Sequence, residues 1–90
     1  MNLNAIYRIS DGVCTREENF GLLVVSKTTP ALALNEDTKV VWNLIDGKTT
    51  CENIISAVKT QYNKSDIDSK IIEIFDTFIK IGLIQLVQEV

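Results

Sequence analysis

The sequence contains no histidine. That removes the side chain most used as a general base and metal ligand near neutral pH. It also excludes Ser-His-Asp and Cys-His catalytic arrangements outright. Cysteine is nearly absent too. Cys14 and Cys51 stand too far apart for any CxxC spacing, and both are expected to act as small hydrophobes. Four glycines, Gly12, Gly21, Gly47 and Gly82, are scattered singly, so no glycine-rich phosphate loop exists. No apolar run approaches the ~20 residues of a membrane span. Met1-Asn2-Leu3-Asn4 lacks a cationic start followed by an apolar stretch. A cytoplasmic location with reduced thiols is therefore expected.

Basic residues are also short. Nine Lys and Arg face twelve Asp and Glu, for a net charge of −3. Nucleic-acid affinity rests on cations that neutralise phosphates, and no basic footprint is visible, so no nucleic-acid partner is expected. Paired carboxylates occur at Glu17/Glu18 and Asp66/Asp68. They read as a solvated turn and as helix capping. No catalytic residue, cofactor or metal site is expected.

What is present is enough for one domain spanning 1–90. A chain of this size buries roughly 60–65% of its unfolded surface, and a 46% hydrophobic content suits one modest core. Ile6–Ser10 and Val13–Glu17 read either as two short strands about the Asp11-Gly12 turn signal or as one irregular strand. Phe20–Lys27 reads as a strand with Phe20, Leu22 and Val24 on one face. Pro30 opens Ala31-Leu32-Ala33-Leu34. Proline lacks the ladder donor and is tolerated at strand starts and edges, so this strand is placed at a sheet edge.

Three helices follow. The first is expected over about 35–46, with Asn35 as N-cap, acidic Glu36 and Asp37 in its first turn, and Asp46-Gly47 at its end. The second covers about 49–62, started by Thr49 or Thr50; Thr49 and Glu52 have capping-box spacing. The third covers about 65–81, capped by Ser65 or Asp66 and stopped by Gly82. Its apolar residues cover roughly half its circumference, wider than one core face requires. A short extended segment, Leu83–Val87, follows. The expected fold is α+β and winged-helix-like, with a three-stranded antiparallel sheet at the N-terminus (about 5–34) packed on three helices.

Several strings then fall into a familiar order. Trp42-Asn43-Leu44-Ile45-Asp46-Gly47, Thr50, Ile54, Tyr62, Phe75 to Phe78 and Gly82-Leu83-Ile84 together resemble the PqqD family. Arg16-Glu17-Glu18-Asn19-Phe20-Gly21-Leu22-Leu23 is similar to the Arg-x-Glu-x-Phe-Gly stretch of its mycofactocin chaperone branch. Asn53 departs from the glutamate usual there. The resemblance implies a non-catalytic RiPP recognition element, a domain that binds the leader of a ribosomally made, post-translationally modified precursor peptide. The leader would add as a strand to the sheet edge, beside the third helix, for delivery to a modifying enzyme, commonly a radical S-adenosylmethionine enzyme.

On that basis Thr29, Ala31, Leu32 and Ala33 are the expected docking edge. Ile71, Ile74, Phe75 and Phe78 are the expected helical wall, and Lys70 is placed to meet an acidic leader residue. The blander reading stays open: Ile71, Phe75 and Phe78 as plain core, Ile74 at the stripe's margin, Lys70 as a solvated charge. Trp42 is expected as structure. Two other functions compete with it: a dimerisation or adaptor module with Ile72 and Ile79 as the contact of a homodimer, and a winged-helix DNA reader, which lacks the basic helix it needs.

Overall fold

The computed structural model describes residues 2–27, 29–63 and 66–89. Five strands and three helices follow one another: β1 Ile6–Ile9, β2 Cys14–Glu18, β3 Gly21–Val25, β4 Leu32–Asn35, α1 Glu36–Leu44, α2 Cys51–Tyr62, α3 Asp68–Lys80 and β5 Ile84–Gln88. The architecture is α+β, as expected. The antiparallel three-stranded sheet runs β2-β3-β4, and a separate ribbon pairs β1 with β5.

That ribbon corrects the hairpin reading. Ile6–Ile9 and Cys14–Glu18 are both strands, but they do not pair across Asp11-Gly12. β1 aligns with β5, with Tyr7 opposite Leu86 and Arg8 opposite Gln85. Arg8 also donates to the Gln85 side chain at 2.6 Å. The second edge of β1 is covered by the α1–α2 connection: Gly47 N–H donates to the Tyr7 carbonyl and Cys51 N–H to that of Ala5, each at 3.0 Å. Local turn signals favour a hairpin; the backbone groups of β1 instead find long-range partners on both sides.

The helices start and stop where side chains satisfy their end groups, not always at the residues expected. Asn35 caps α1 by accepting from Thr38 N–H at 2.9 Å. That helix ends at Leu44, with Ile45 extended, so Asp46 and Gly47 build the following turn. There the Asp46 carboxylate accepts from Lys48 and Thr49 N–H at 2.9 Å each, an Asx turn. These bonds, Lys48 first, hold its carboxyl below the usual carboxylate range.

The cap of α2 is Thr50, accepting from Asn53 N–H at 3.2 Å. The Thr49/Glu52 capping box does not form, because Thr49 Oγ1 is turned back to Asp46 at 3.0 Å. Asn63, left-handed at φ 50°, closes α2. α3 begins later than expected, with Ile67 at the N-cap and no side-chain cap; Asp66 is not its cap, and Ser65 lies outside the described residues. Gly82 stops α3 at φ 80°. Leu83 N–H reaches the Phe78 carbonyl at 2.9 Å and Gly82 N–H that of Ile79 at 3.1 Å, the two bonds of a Schellman motif.

The core lies between the sheet's inner face and the helices. Leu22, Val24 and Leu34 from the sheet meet Trp42, Ile54, Ile55, Val58, Phe75 and Phe78. Phe20 does not join them: it sits beside the β2–β3 turn, 49% exposed. Trp42 is buried against Phe78. Cys51 is buried as expected, whereas Cys14 is exposed on β2. Lys39 of α1 bonds Glu17 of β2 at 2.5 Å, tying the first helix to the far strand of the sheet.

Candidate functional site

The sheet ends at β4, which pairs with β3 on one side and, among the described residues, with no strand on the other. In an antiparallel ladder, alternate residues send both backbone groups to the same neighbour. The Leu34 carbonyl lies against Gly21 of β3, so close that a Cβ built there would sit 2.2 Å from it. Leu34, and with it Leu32, therefore serves the ladder. The N–H and C=O of Ala33, and those of Ala31 just outside the strand, face the open edge. Both alanines are exposed, while Leu32 is half-buried and Leu34 buried. Pro30, with no N–H, marks where the edge can begin.

Across from this edge stands α3, and the space between them is a groove in two connected parts. The larger recess, about 200 Å³, is lined by Leu32, Ala33, Leu34, Thr38, Ile74, Thr77 and Phe78. The smaller, about 100 Å³, lies past the end of β4, among Asn35, Asp37, Thr38, Val41, Tyr62, Ile67, Lys70, Ile71 and Ile74. Thr38 and Ile74 line both. An apolar cavity of ~150 Å³ takes a benzene ring, so each part is of side-chain size.

The groove gathers some of the expected residues and not others. Leu32, Ala33, Ile74 and Phe78 meet in the larger recess, and Lys70, Ile71 and Ile74 in the smaller. Ile71 and Phe78 do double duty, since both are also buried in the core. Phe75 is fully buried, lines neither recess, and faces Tyr7 with ring centroids 6.2 Å apart. Ala31 and Thr29 sit just before β4. Thr29 is half-buried, and its Oγ1 is buried with no hydrogen-bond partner among the described residues. Lys70 is exposed and forms no ion pair among them.

Sequence reading missed the α1 and α2 contributions. Thr38 and Val41 simply fall within the first expected helix, Asp37 is a first-turn charge there, and Tyr62 is one residue of the family resemblance. The signal lay in Tyr62, an aromatic at a helix end with a polar tip to satisfy. Its phenol faces Asp37; burial first, then that carboxylate, push its pKa up. Among the described residues no group of three His, Cys, Asp or Glu is placed to hold a metal ion, and no helix is long and apolar enough to cross a membrane.

The distinctive surface of this small domain is a cleft, an open sheet edge facing a helix across an apolar groove. The family profile described as coenzyme PQQ synthesis protein D (PqqD) matches residues 22–84. The chain belongs to the PqqD family and is a PqqD-like RiPP recognition element, in a family of non-catalytic accessory proteins. The matched span contains β4, all three helices and every residue that lines the groove. Neither the curated proteins nor the solved structures give a match.

Proposed function

We propose that this domain binds the leader of a ribosomally made precursor peptide as an added strand on β4. It then presents that precursor to a modifying enzyme, a radical S-adenosylmethionine enzyme in the cytoplasm. The observation that carries the reading is the unpaired edge of β4 directly beside the apolar groove of α3. Open edges are normally covered or blunted in soluble proteins. Adding a strand gives main-chain hydrogen bonds for affinity and side-chain pockets for specificity.

Thr29, Ala31, Leu32 and Ala33 form the docking edge. Ile71, Ile74 and Phe78 form the wall, with Phe75 supporting it from behind and Lys70 at the rim. The test is a titration of the full chain with the leader of a precursor encoded beside it, followed by amide NMR. Saturable binding near micromolar, roughly −8 kcal/mol, with shifts on Ala31–Leu34 and along α3, supports the proposal. Absence of binding, or shifts confined to β1 and β5, sinks it.

A second reading rests on Ile79, Leu86 and Val87, which are exposed apolar residues away from the groove. They suit an adaptor or homodimer contact; Ile72, the other residue expected there, is half-buried on the core. Sedimentation of the free chain decides it, since a monomer at all accessible concentrations removes the homodimer.

A further inference from the structure

The central strand β3 turns its two sides to different neighbours. Leu22 and Val24 point to the helices and are buried in the core. Leu23 and Val25 alternate with them and point the opposite way. Directly opposed residues of neighbouring strands share a face, so the outward set can be followed across the sheet. Cys14 stands opposite Val25, Arg16 opposite Leu23, and Leu23 opposite Ala33. The inward set has the matching parity: Glu17, opposite Leu22, reaches Lys39 of α1.

The outward face is open. Cys14, Arg16, Val25 and Ala33 are exposed on it, and Leu23 is half-buried. Its centre, Leu23, Val25 and Ala33, carries no charge. The two ionic side chains that the strands place there, Arg16 and Glu18, neutralise each other at 2.5 Å.

A strand added to β4 widens this face. The N–H and C=O of Ala33 face the open edge, so Ala33 has a hydrogen-bonded partner directly across from it in an antiparallel added strand. The side chain of that partner lies on the outward face, in line with Arg16, Leu23 and Ala33. The residues before and after it turn to the groove. A bound leader is thus seen from two sides. The groove takes one half of its side chains, and the other half joins the outward face beside the small Ala33.

We infer that the modifying enzyme docks on the outward face of β2–β3–β4, through an uncharged apolar patch of its own, and reads there whether β4 carries a leader. The occupant follows from continuity: this face runs without a break into the leader side chains that the groove leaves free. The inference rests on the strand-addition reading and assigns the enzyme a surface outside the groove.

Cys14 is a native probe of this face, since it is exposed while Cys51 is buried. The test measures its labelling by a thiol reagent on the full chain alone, with the leader of the precursor encoded beside it, and with that leader plus the modifying enzyme encoded there. β3 separates the strand of Cys14 from β4, so the leader alone is expected to leave the rate unchanged. Leader and enzyme together are expected to slow it in proportion to the fraction of chain bound. Two variants complete the test. Val25→Lys places a charge on the patch at an exposed site, and Leu23→Thr removes apolar surface with a residue suited to a strand. Circular dichroism verifies their folding. Both should bind the leader as the parent does, while the affinity of the loaded chain for the enzyme falls about tenfold or more.

Unchanged Cys14 labelling with leader and enzyme, or unchanged enzyme affinity in both folded variants, overturns the inference and leaves strand addition intact. Equal affinity of the enzyme for the empty and the loaded chain does the same. Labelling that slows as the free chain is concentrated assigns the face to a second copy, which also overturns it. Failure to bind the leader at all overturns both.

Discussion

Phe78 meets Trp42 edge to face, with ring centroids 5.2 Å apart and planes at 89°, while lining the larger recess of the β4 groove. One side chain thus holds α3 on α1 and floors the groove. Aromatic pairs of this geometry contribute ~0.5–1.5 kcal/mol beyond their burial.

Phe78→Ala is therefore expected to cost about 3–5 kcal/mol of stability, as core Phe truncations do. It should also change Trp42 fluorescence in the native state. Urea denaturation followed through that single tryptophan measures both. A cost below about 1 kcal/mol contradicts the packing described. Because Phe78 serves core and groove together, lost peptide binding in this variant does not separate the two roles.

Ala33→Pro does separate them. Proline is tolerated on an edge strand where the lost N–H faces outward, as that of Ala33 does. The fold is expected to survive, with a melting curve close to the parent's. Peptide affinity should fall, because the added strand loses a main-chain donor. A collapsed fold would show that the Ala33 N–H serves β3 and that the edge has the opposite parity.

Gly21 is irreplaceable for a backbone reason. Its φ is 145°, and a Cβ there would lie 2.2 Å from the Leu34 carbonyl oxygen. Gly21→Ala must push β4 away from β3 or distort the turn. A loss of at least about 1–3 kcal/mol is expected, together with weakened protection of the β3–β4 amides in hydrogen exchange. Retention of full protection would contradict the close approach.

Removing the α2 cap tests which threonine holds it. Thr50→Ala is expected to cost about 1 kcal/mol, whereas Glu52→Ala should cost little, since no capping box forms. Equal losses in chemical denaturation would restore the Thr49/Glu52 box.

The cysteines should behave oppositely. Cys14 is exposed and Cys51 buried, so a thiol reagent should label Cys14 in the native protein and Cys51 only after denaturation. Burial pushes the Cys51 thiol up to about 11 from an ordinary value of 9.0. The fold thus favours the neutral thiol. Its contribution is complete below about pH 9 and is lost as pH rises toward about 11. Stability should decline over that window in the parent and decline less in Cys51→Ala. An identical decline in both would exclude Cys51 as the source.

The sequence by itself determined the elements built on local spacing. The order of the three helices, the Asn35 cap, the Gly82 stop and the edge placement behind Pro30 all follow from contacts a few residues apart. Their physics is periodicity, capping and the missing proline N–H. The tertiary structure decided everything that depends on distant partners. It paired β1 with β5 instead of β2, while the Gly47 and Cys51 N–H groups donate to the Tyr7 and Ala5 carbonyls along the other side of that chain segment. It turned Thr49 to Asp46 and left Thr50 as the cap. It divided the broad apolar face of α3, sending Phe75 wholly into the core, sharing Ile71 and Phe78 between core and groove, and leaving Ile74 at the junction of both recesses. Helical spacing records how much of a helix is apolar. Which neighbour covers each side chain is settled only when strands and helices distant in sequence pack around it.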